Sequence, residues 1–454
     1  MESIQKTIQK QRAFFNTGKT KDVGFRIAQL KKLRIALEAN EAEIEKAMLA
    51  DFGKCAFEVY TTEYSLIISG IKEFERNLRR WVRSKTVPKS MPTFHAKSKI
   101  IRDPYGVVLI MSPWNYPLQL TLMPLIGAMA GGNTAIIKPS RYVPNTVDVM
   151  KRVIEENFDS EYIAIFEGGR EVNAQLLQQR YDYIFFTGGK TVGKIAMRSA
   201  AENLTPITLE LGGKSPCIVD ETADIKKAAK SICWGKFINA GQTCVAPDYV
   251  MVKSGVKQQL LEEMKKVISD FYGDDPQKSP DFARIITDRH VERLSSLIDK
   301  DKVYVGGEVN TETRYISPTI MDNVTFDDSV MGEEIFGPIL PVIEYTNEHQ
   351  MIEKLMSLET PLAMYLFSRD KRKIKNYIKM LPSGDVVVND TVIHVANPHL
   401  PFGGKGDSGL GSYHGKHSID TFTQKRSVVY RNLVLDLPRY APYEKKVGLI
   451  KKLM

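Results

Sequence analysis

The 454-residue chain carries 63 basic and 54 acidic side chains, a formal charge of +9, with 43% hydrophobic and 26% charged residues. That length exceeds one ordinary core and predicts two or three globular domains. No apolar run reaches the length of a membrane span, no RRM, KH, zinc-finger or basic-zipper signature accompanies the positive charge, and Cys55, Cys217, Cys233 and Cys244 form no C-x-x-C or Cys/His cluster, which argues against nucleic-acid binding, a metal site and a disulfide framework.

The opening "MESIQKTIQKQRAFF" is amphipathic and mixed in charge, without the apolar core and cleavage site of a secretory signal, so a cytoplasmic protein with reduced thiols is expected. Residues 22 to 48 place Ile27, Leu30, Leu33 and Leu37 at helical spacing, and residues 60 to 82 continue in that style. The segment 87 to 106 is extended and partly apolar, an edge strand in need of cover or pairing. From residue 106 short apolar runs alternate with helical stretches: "GVVLIM" (106–111), "TAIIK" (134–138), "YIAIF" (162–166), "YIFF" (183–186) and "PITLE" (206–210). Between the first two, residues 116 to 132 are too short to span a membrane and read as a buried helix. A second series follows, with "PCIVD" (216–220), "YVMVK" (249–253), "KVYV" (302–305), "PILPVIEY" (338–345), "PLAMYLF" (361–367) and "DVVVND" (385–390). Strands alternating with helices predict two α/β domains with doubly wound parallel sheets. From about Ser427 the chain is again extended.

Polar residues with chemical potential sit where these strands end. "SPWNYP" (112–117) places Asn115 after a strand, where open α/β sheets bind ligands. Its amide can donate to an oxyanion, with the backbone N–H of Cys244 as a second donor; the plainer alternative is an Asn that caps a turn. "IIKPS" (136–140) offers Lys138 to a ribose hydroxyl or a phosphate, or to solvent. "FFTGGKTVG" (185–193) runs from strand through glycine into helix, so that Gly188 and Gly193 admit a ligand to the backbone and the helix N-terminus can meet a pyrophosphate. "TLELGGKSP" (208–216) puts Glu210 at a strand end, a carboxylate able to serve as base for a water. "INAGQTCVAP" (238–247) carries Cys244, a nucleophile or a small core residue, and "EEIFGP" (333–338) carries Glu334, which can accept from ribose hydroxyls, and Phe336, whose ring can pack on a flat heterocycle.

In this order and at these spacings the motifs around Asn115, Lys138, Glu210, Cys244 and Glu334 resemble the aldehyde dehydrogenase superfamily over residues 20 to 440, and "PFGGKGDSGLGSYHGKHSIDTFTQKRSV" (401–428) looks like its class-3 branch of fatty and aromatic aldehyde dehydrogenases. The resemblance implies a Rossmann-like dinucleotide-binding domain (1–86 and 106–210), a second α/β catalytic domain (211–400), and a small β oligomerisation element with the C-terminal tail (87–105 and 401–454). It implies NAD- or NADP-dependent oxidation of medium- or long-chain aliphatic or aromatic aldehydes to acids through a thiohemiacetal and a thioester on Cys244. Asn115 would hold the oxyanion, and Glu210, or else Glu334, would activate water. Trp114, Lys138, Arg141, Thr187, Gly188, Gly193, Glu334 and Phe336 would contact the cofactor. Activation of Cys244 is expected from its folded surroundings, a helix terminus among them.

Two departures bear on the cofactor. Arg141 stands where the family commonly has a Glu on the adenosine ribose, and Lys190 lies in "FTGGK" near the expected pyrophosphate; both favour NADP. Glu210 argues against a CoA-acylating relative, and Cys244, Asn115 and Glu210 together argue against a non-catalytic protein that has kept the fold. The class-3 resemblance also implies a homodimer, with residues 87 to 105 and the tail pairing across subunits. In the tail, residues 438 to 454 hold five basic residues and one acid among apolar positions, the pattern of a short amphipathic helix for an anionic membrane surface or a cover over the substrate entrance.

Overall fold

Runs of Val, Ile, Phe and Thr between residues 107 and 210 form the parallel part of a six-stranded sheet in the computed structural model, which describes residues 3–90, 93, 96–432, 440–444, 446–448 and 451. The order across the sheet is Gly409–Leu410, Ile207–Glu210, Tyr183–Thr187, Val107–Met111, Thr134–Lys138 and Ile163–Ile165. All neighbours are parallel except Gly409–Leu410, which runs antiparallel at the edge. The chain winds outward from Val107–Met111 through Thr134–Lys138 and then restarts at Tyr183–Thr187 on the other side. The switch point therefore lies where Met111 and Phe186 are partners, and the crevice beyond such strand ends is where a ligand can enter.

Pro117–Gly131 is a helix buried along its whole length. With apolar residues on every face it suits a core position, and Pro117 sits in the first turn, where no N–H is needed. The predicted helical stretch 22–48 is two helices, Val23–Ala39 and Glu41–Phe52, because Asn40 at the junction turns its side chain back to accept no cap and instead donates to Ala36 O at 2.9 Å.

Seven strands make a second sheet in the order Val303–Val305, Thr319–Met321, Ile339–Tyr345, Tyr249–Lys253, Pro216–Val219, Ala363–Phe367 and Asp385–Val388, parallel but for the Val303–Val305 edge. Only residues 211–215 separate it from the first sheet. The predicted strands of both series are present: most are trimmed by one or two residues at their ends, "TAIIK" and "YVMVK" are unchanged, and "YIFF" is extended to Thr187.

The two extended segments pair with each other inside the chain. Thr423–Arg431 runs antiparallel to Ala96–Pro104 through nine residue pairs, and Lys85–Thr86 lies on the far side. Thr423–Arg431 forms the outer edge, with Val429 and Tyr430 exposed. The amphipathic reading of the C-terminal tail rests in part on residues 438, 439, 445, 449, 450 and 452–454, which lie outside those described. Among the described residues no helix is long and apolar enough to cross a membrane.

An ion pair anchors the loop that carries Asn115. Lys54 Nζ and Glu63 Oε1 are 3.0 Å apart and both side chains are fully buried. Glu63 also accepts from Leu118 N at 2.9 Å and Gln119 N at 3.2 Å, placing a carboxylate at the positive end of the Pro117–Gly131 helix. Lys54 donates to Asn115 O at 3.4 Å and lies over the rings of Phe52 and Tyr116 at 4.8 and 4.5 Å. Breaking such a pair strands one charge in the core. Lys54→Met is expected to lower stability by about 3–5 kcal/mol in denaturant unfolding, and a loss under about 1 kcal/mol would show that the pair is replaceable.

Candidate active site

Two loops meet beyond the end of the Val107–Met111 strand. Asn115 is buried, its Nδ2 donates to Gln242 O at 3.1 Å, and its carbonyl accepts from Asn239 Nδ2 at 2.8 Å. Gln242 in turn donates to Asn239 O and Arg284 O and accepts from Ile286 N at 3.0 Å, while Tyr116 Oη and Thr243 Oγ1 share a hydrogen bond of 2.7 Å. The Asn115 amide is thus tied to the turn that presents Cys244, with its second N–H still available as a donor.

That turn is tight. Asn239, Ala240 and Gly241 have φ of 52°, 49° and 74° in succession, and a Cβ on Gly241 would stand 2.2 Å from Gly337 O, so only glycine allows this loop against the Glu334–Pro338 segment. Cys244 emerges partly exposed, whereas Cys217 and Cys233 are buried.

Contrary to the expectation of a helix terminus, Cys244 lies in a turn, and its surroundings stabilise the protonated thiol. Burial, with the nearby Glu334 and Glu210 carboxylates, pushes it up to about 12, against the opposing backbone N–H groups of Cys244 and Val245.

Two acids flank the thiol. Glu210 closes its strand, is buried, and neither carboxyl oxygen has a hydrogen-bond partner among the described residues; burial first, and then the charge of Asp385, raise it well above the ordinary carboxylate range. Glu334 rests on the backbone of Gly212, where a Cβ would lie 2.0 Å from Oε2. Its Oε1 is buried without a partner among the described residues. Burial and Asp248 raise it to about 8, opposed by the Gly213 N–H, Lys214 and Lys236.

The remaining predicted residues line the strand ends. Lys138 is buried, donates to Pro139 O at 2.7 Å, and is lowered to about 8 by burial and by Arg141. Arg141 is exposed and lies against Gly169, in the loop after Ile163–Ile165, where a Cβ would come within 2.8 Å of its guanidinium. Trp114 and Phe336 meet edge to face, centroids 5.4 Å apart, and Trp114 also meets His290 at 5.3 Å. Thr187 Oγ1 is buried with no partner among the described residues.

Gly188 and Gly193 have another reason to be glycine. A Cβ on Gly188 would strike the Phe186 ring, and one on Gly193 would strike Leu211, each at 2.8 Å, so they permit packing of helix on sheet. The open position is Gly189, which precedes the Lys190–Glu202 helix with nothing near its missing Cβ and no side chain capping the helix. Sequence reading passed over it as the second of two adjacent glycines. Lys190 does not point at that opening: its ammonium is paired with Glu359 and lies 3.9 Å from Asp407.

A free helix N-terminus, a partnerless threonine hydroxyl, a partnerless Glu334 oxygen and a buried lysine are a donor and acceptor set suited to the pyrophosphate and riboses of a dinucleotide. The aldehyde dehydrogenase family model matches residues 1–428. The chain is 47% identical to the 4,4'-diaponeurosporen-aldehyde dehydrogenase of Staphylococcus aureus over 99% of both chains, and 41% identical to the rat aldehyde dehydrogenase described as dimeric and NADP-preferring over 98% of both. A solved structure described as the substrate-bound state of Staphylococcus aureus AldH superposes with a TM-score of 0.98 at 46% identity, covering 100% of this chain and 99% of that one. Agreement in sequence and backbone along the whole chain shows that this protein belongs to the aldehyde dehydrogenase family, as an NAD(P)-dependent aldehyde dehydrogenase.

Proposed function

We propose that Cys244 is the nucleophile, Asn115 and the Cys244 N–H the oxyanion donors, and Glu210 the base that hydrolyses the acyl-enzyme of a long-chain or aromatic aldehyde. The observation that carries the assignment of the base is Glu210 itself, a buried carboxyl at a strand end with both oxygens free of protein partners. Glu334 is instead held on Gly212 and influenced by Lys214 and Lys236, an arrangement suited to receiving ribose hydroxyls. We place the cofactor domain at residues 1–86 and 106–210, the catalytic domain at 211–400, and the bridging and assembly segments at 87–105 and 401–454. A homodimer is supported by the relative named dimeric.

Cys244 Sγ adds to the aldehyde carbon as its proton passes to a flanking carboxylate, Glu334 or Glu210, and on to solvent. The oxygen that becomes negative is met by Asn115 Nδ2 and the Cys244 N–H, donors fixed before the charge develops. Lys138, Thr187, Glu334 and the open turn at Gly188 and Gly189 would hold the dinucleotide, with Trp114 and Phe336 near its nicotinamide end; when bound, it supplies the hydride acceptor that converts the adduct into a thioester. Glu210 then takes a proton from water as the oxygen attacks the thioester carbon, and the thiolate leaves. A carboxylate made more basic by burial is better matched to this task than a solvated one. The Staphylococcus aureus relative, named 4,4'-diaponeurosporen-aldehyde dehydrogenase, supports an aldehyde substrate.

Cys244→Ala is expected to abolish oxidation while cofactor binding persists, and Glu210→Gln to give a burst of reduced cofactor followed by slow turnover, read by stopped-flow absorbance. A burst in Glu334→Gln with none in Glu210→Gln would exchange the two acids.

For the cofactor, we propose that NADP is used at least as well as NAD. Arg141, on the loop after the second strand and against Gly169, offers charge-assisted donors to a 2′-phosphate where a Glu would repel it. Such a bond is worth about 1.5–3 kcal/mol, roughly ten- to a hundredfold in affinity. In Arg141→Glu, kcat/KM for NADP should fall by about that factor while NAD holds or improves; an unchanged ratio between the cofactors would show that Arg141 never meets the phosphate.

A further inference from the structure

A cavity of about 180 Å³ lies where the strands Pro216–Val219, Tyr249–Lys253 and Ala363–Phe367 begin, and neither Cys244, Glu210 nor Glu334 lines it. Its apolar walls are Tyr249, Phe326, Met331, Met364 and Leu381. We propose that this cavity binds a small aromatic carboxylate, with the ring among those walls and the charge on Lys354, and that the bound acid tightens the cofactor site.

Size and lining select the ring. An apolar cavity of about 150 Å³ accommodates benzene, so this one takes a six-membered ring and leaves room for a substituent. The Tyr249 and Phe326 rings meet edge to face with centroids 6.0 Å apart, and thioethers such as those of Met331 and Met364 favour contact with an aromatic ring.

The carboxylate is selected at the mouth, where the two lysines that line the cavity are not equivalent. Lys214 Nζ is already engaged, donating to Asp248 Oδ2 at 2.6 Å, Val330 O at 3.0 Å and Glu333 O at 2.8 Å. Lys354, on the Glu348–Met356 helix, is exposed, stands 4.9 Å from the centre of the Phe326 ring, and has no acid paired with it among the described residues. An apolar slot with an unpaired ammonium at its rim fits an amphipathic anion. Oxidation of an aldehyde yields a carboxylate, so acids of this class form wherever an aromatic aldehyde is turned over.

The walls are shared with elements that face the cofactor. Met331 and Gly332 line the cavity and run directly into Glu333 and Glu334. Lys214 pins that stretch through Val330 O and Glu333 O, and Asp248 accepts from Ile335 N at 3.0 Å. On the other side Glu359 lines the cavity and pairs with Lys190, the first residue of the helix that opens at Gly189. A ring between these walls adds contacts to both, and so steadies Glu334 and that helix before the cofactor arrives. By linkage the cofactor tightens the acid by the same factor. The coupling rests on the proposed placement of the dinucleotide against Glu334 and Gly189; the cavity as a binding site does not.

Isothermal titration of benzoate and benzamide into the full-length enzyme tests the site. Benzoate is expected to bind wild type more tightly than benzamide does. Lys354→Met should weaken benzoate about two- to fivefold, the range of an exposed charge pair, and leave benzamide unchanged. Leu358→Trp, which fills the cavity from a partly exposed wall, should abolish binding of both while hexanal oxidation without added acid stays intact. In wild type, saturating benzoate should lower the Kd for NADP about fivefold, an effect absent from Leu358→Trp. Oxidation of benzaldehyde would mark the ligand as the enzyme's own product, and benzoate binding without that oxidation would mark an acid formed elsewhere. Benzoate binding that both variants leave unchanged, as it would be beside Cys244, or no binding at millimolar benzoate, would overturn the site. Binding lost in Leu358→Trp with NADP affinity indifferent to benzoate would overturn the coupling alone, and NADP affinity unchanged in Glu334→Gln would place the fault in the cofactor assignment.

Discussion

Burial of titratable groups along the seam between the two parallel sheets is the constraint on which the rest of this site depends. Burial disfavours charge of either sign, and here it acts on both. Glu210 and Glu334 are pushed up, and Lys138 and Lys236 are each pulled down to about 8. The thiol of Cys244 follows the carboxyls upward. A resting site with few ionised groups keeps its nucleophile protonated and its base strong. The same low polarity makes each fixed donor more effective toward a charge that appears during reaction.

Backbone approaches that side chains would forbid hold this seam closed. Gly241 lets the Cys244 turn touch Gly337, and Gly212 lets Glu334 settle between Glu210 and the second sheet. Asn239 and Ala240 hold left-handed conformations, a strain of about 1–3 kcal/mol for each such residue. Hydrogen bonds from the Asn239 side chain to Asn115 O and Gln242 O offset it. The strained turn and the oxyanion donor are therefore parts of one network, anchored below by Lys54 and Glu63.

Much of this was legible in the sequence, because a parallel strand covered on both faces reads as an unbroken apolar run. "TAIIK" and "YVMVK" match their strands residue for residue. Asn115, Lys138 and Glu210 were legible for the same reason, being the polar residues at or just beyond the ends of such runs. What stayed hidden depends on partners distant in sequence. Lys190 looked free to meet a phosphate until Glu359, 169 positions away, proved to hold it. Gly193 looked like a ligand contact, although Leu211 is what it accommodates. Activation of Cys244 by a helix terminus was a local guess that the fold does not supply.

The central claim, that desolvation holds Cys244 protonated until catalysis begins, is tested most directly by alkylation. Iodoacetamide reacts with the thiolate, so labelling of Cys244 in the cofactor-free enzyme, quantified by peptide mass spectrometry, should quicken about tenfold per pH unit between roughly pH 6 and 9 with no plateau, as for a thiol whose proton leaves only far above neutrality. A plateau below about pH 8 would mean that the thiolate forms readily in the empty site, which would contradict the account.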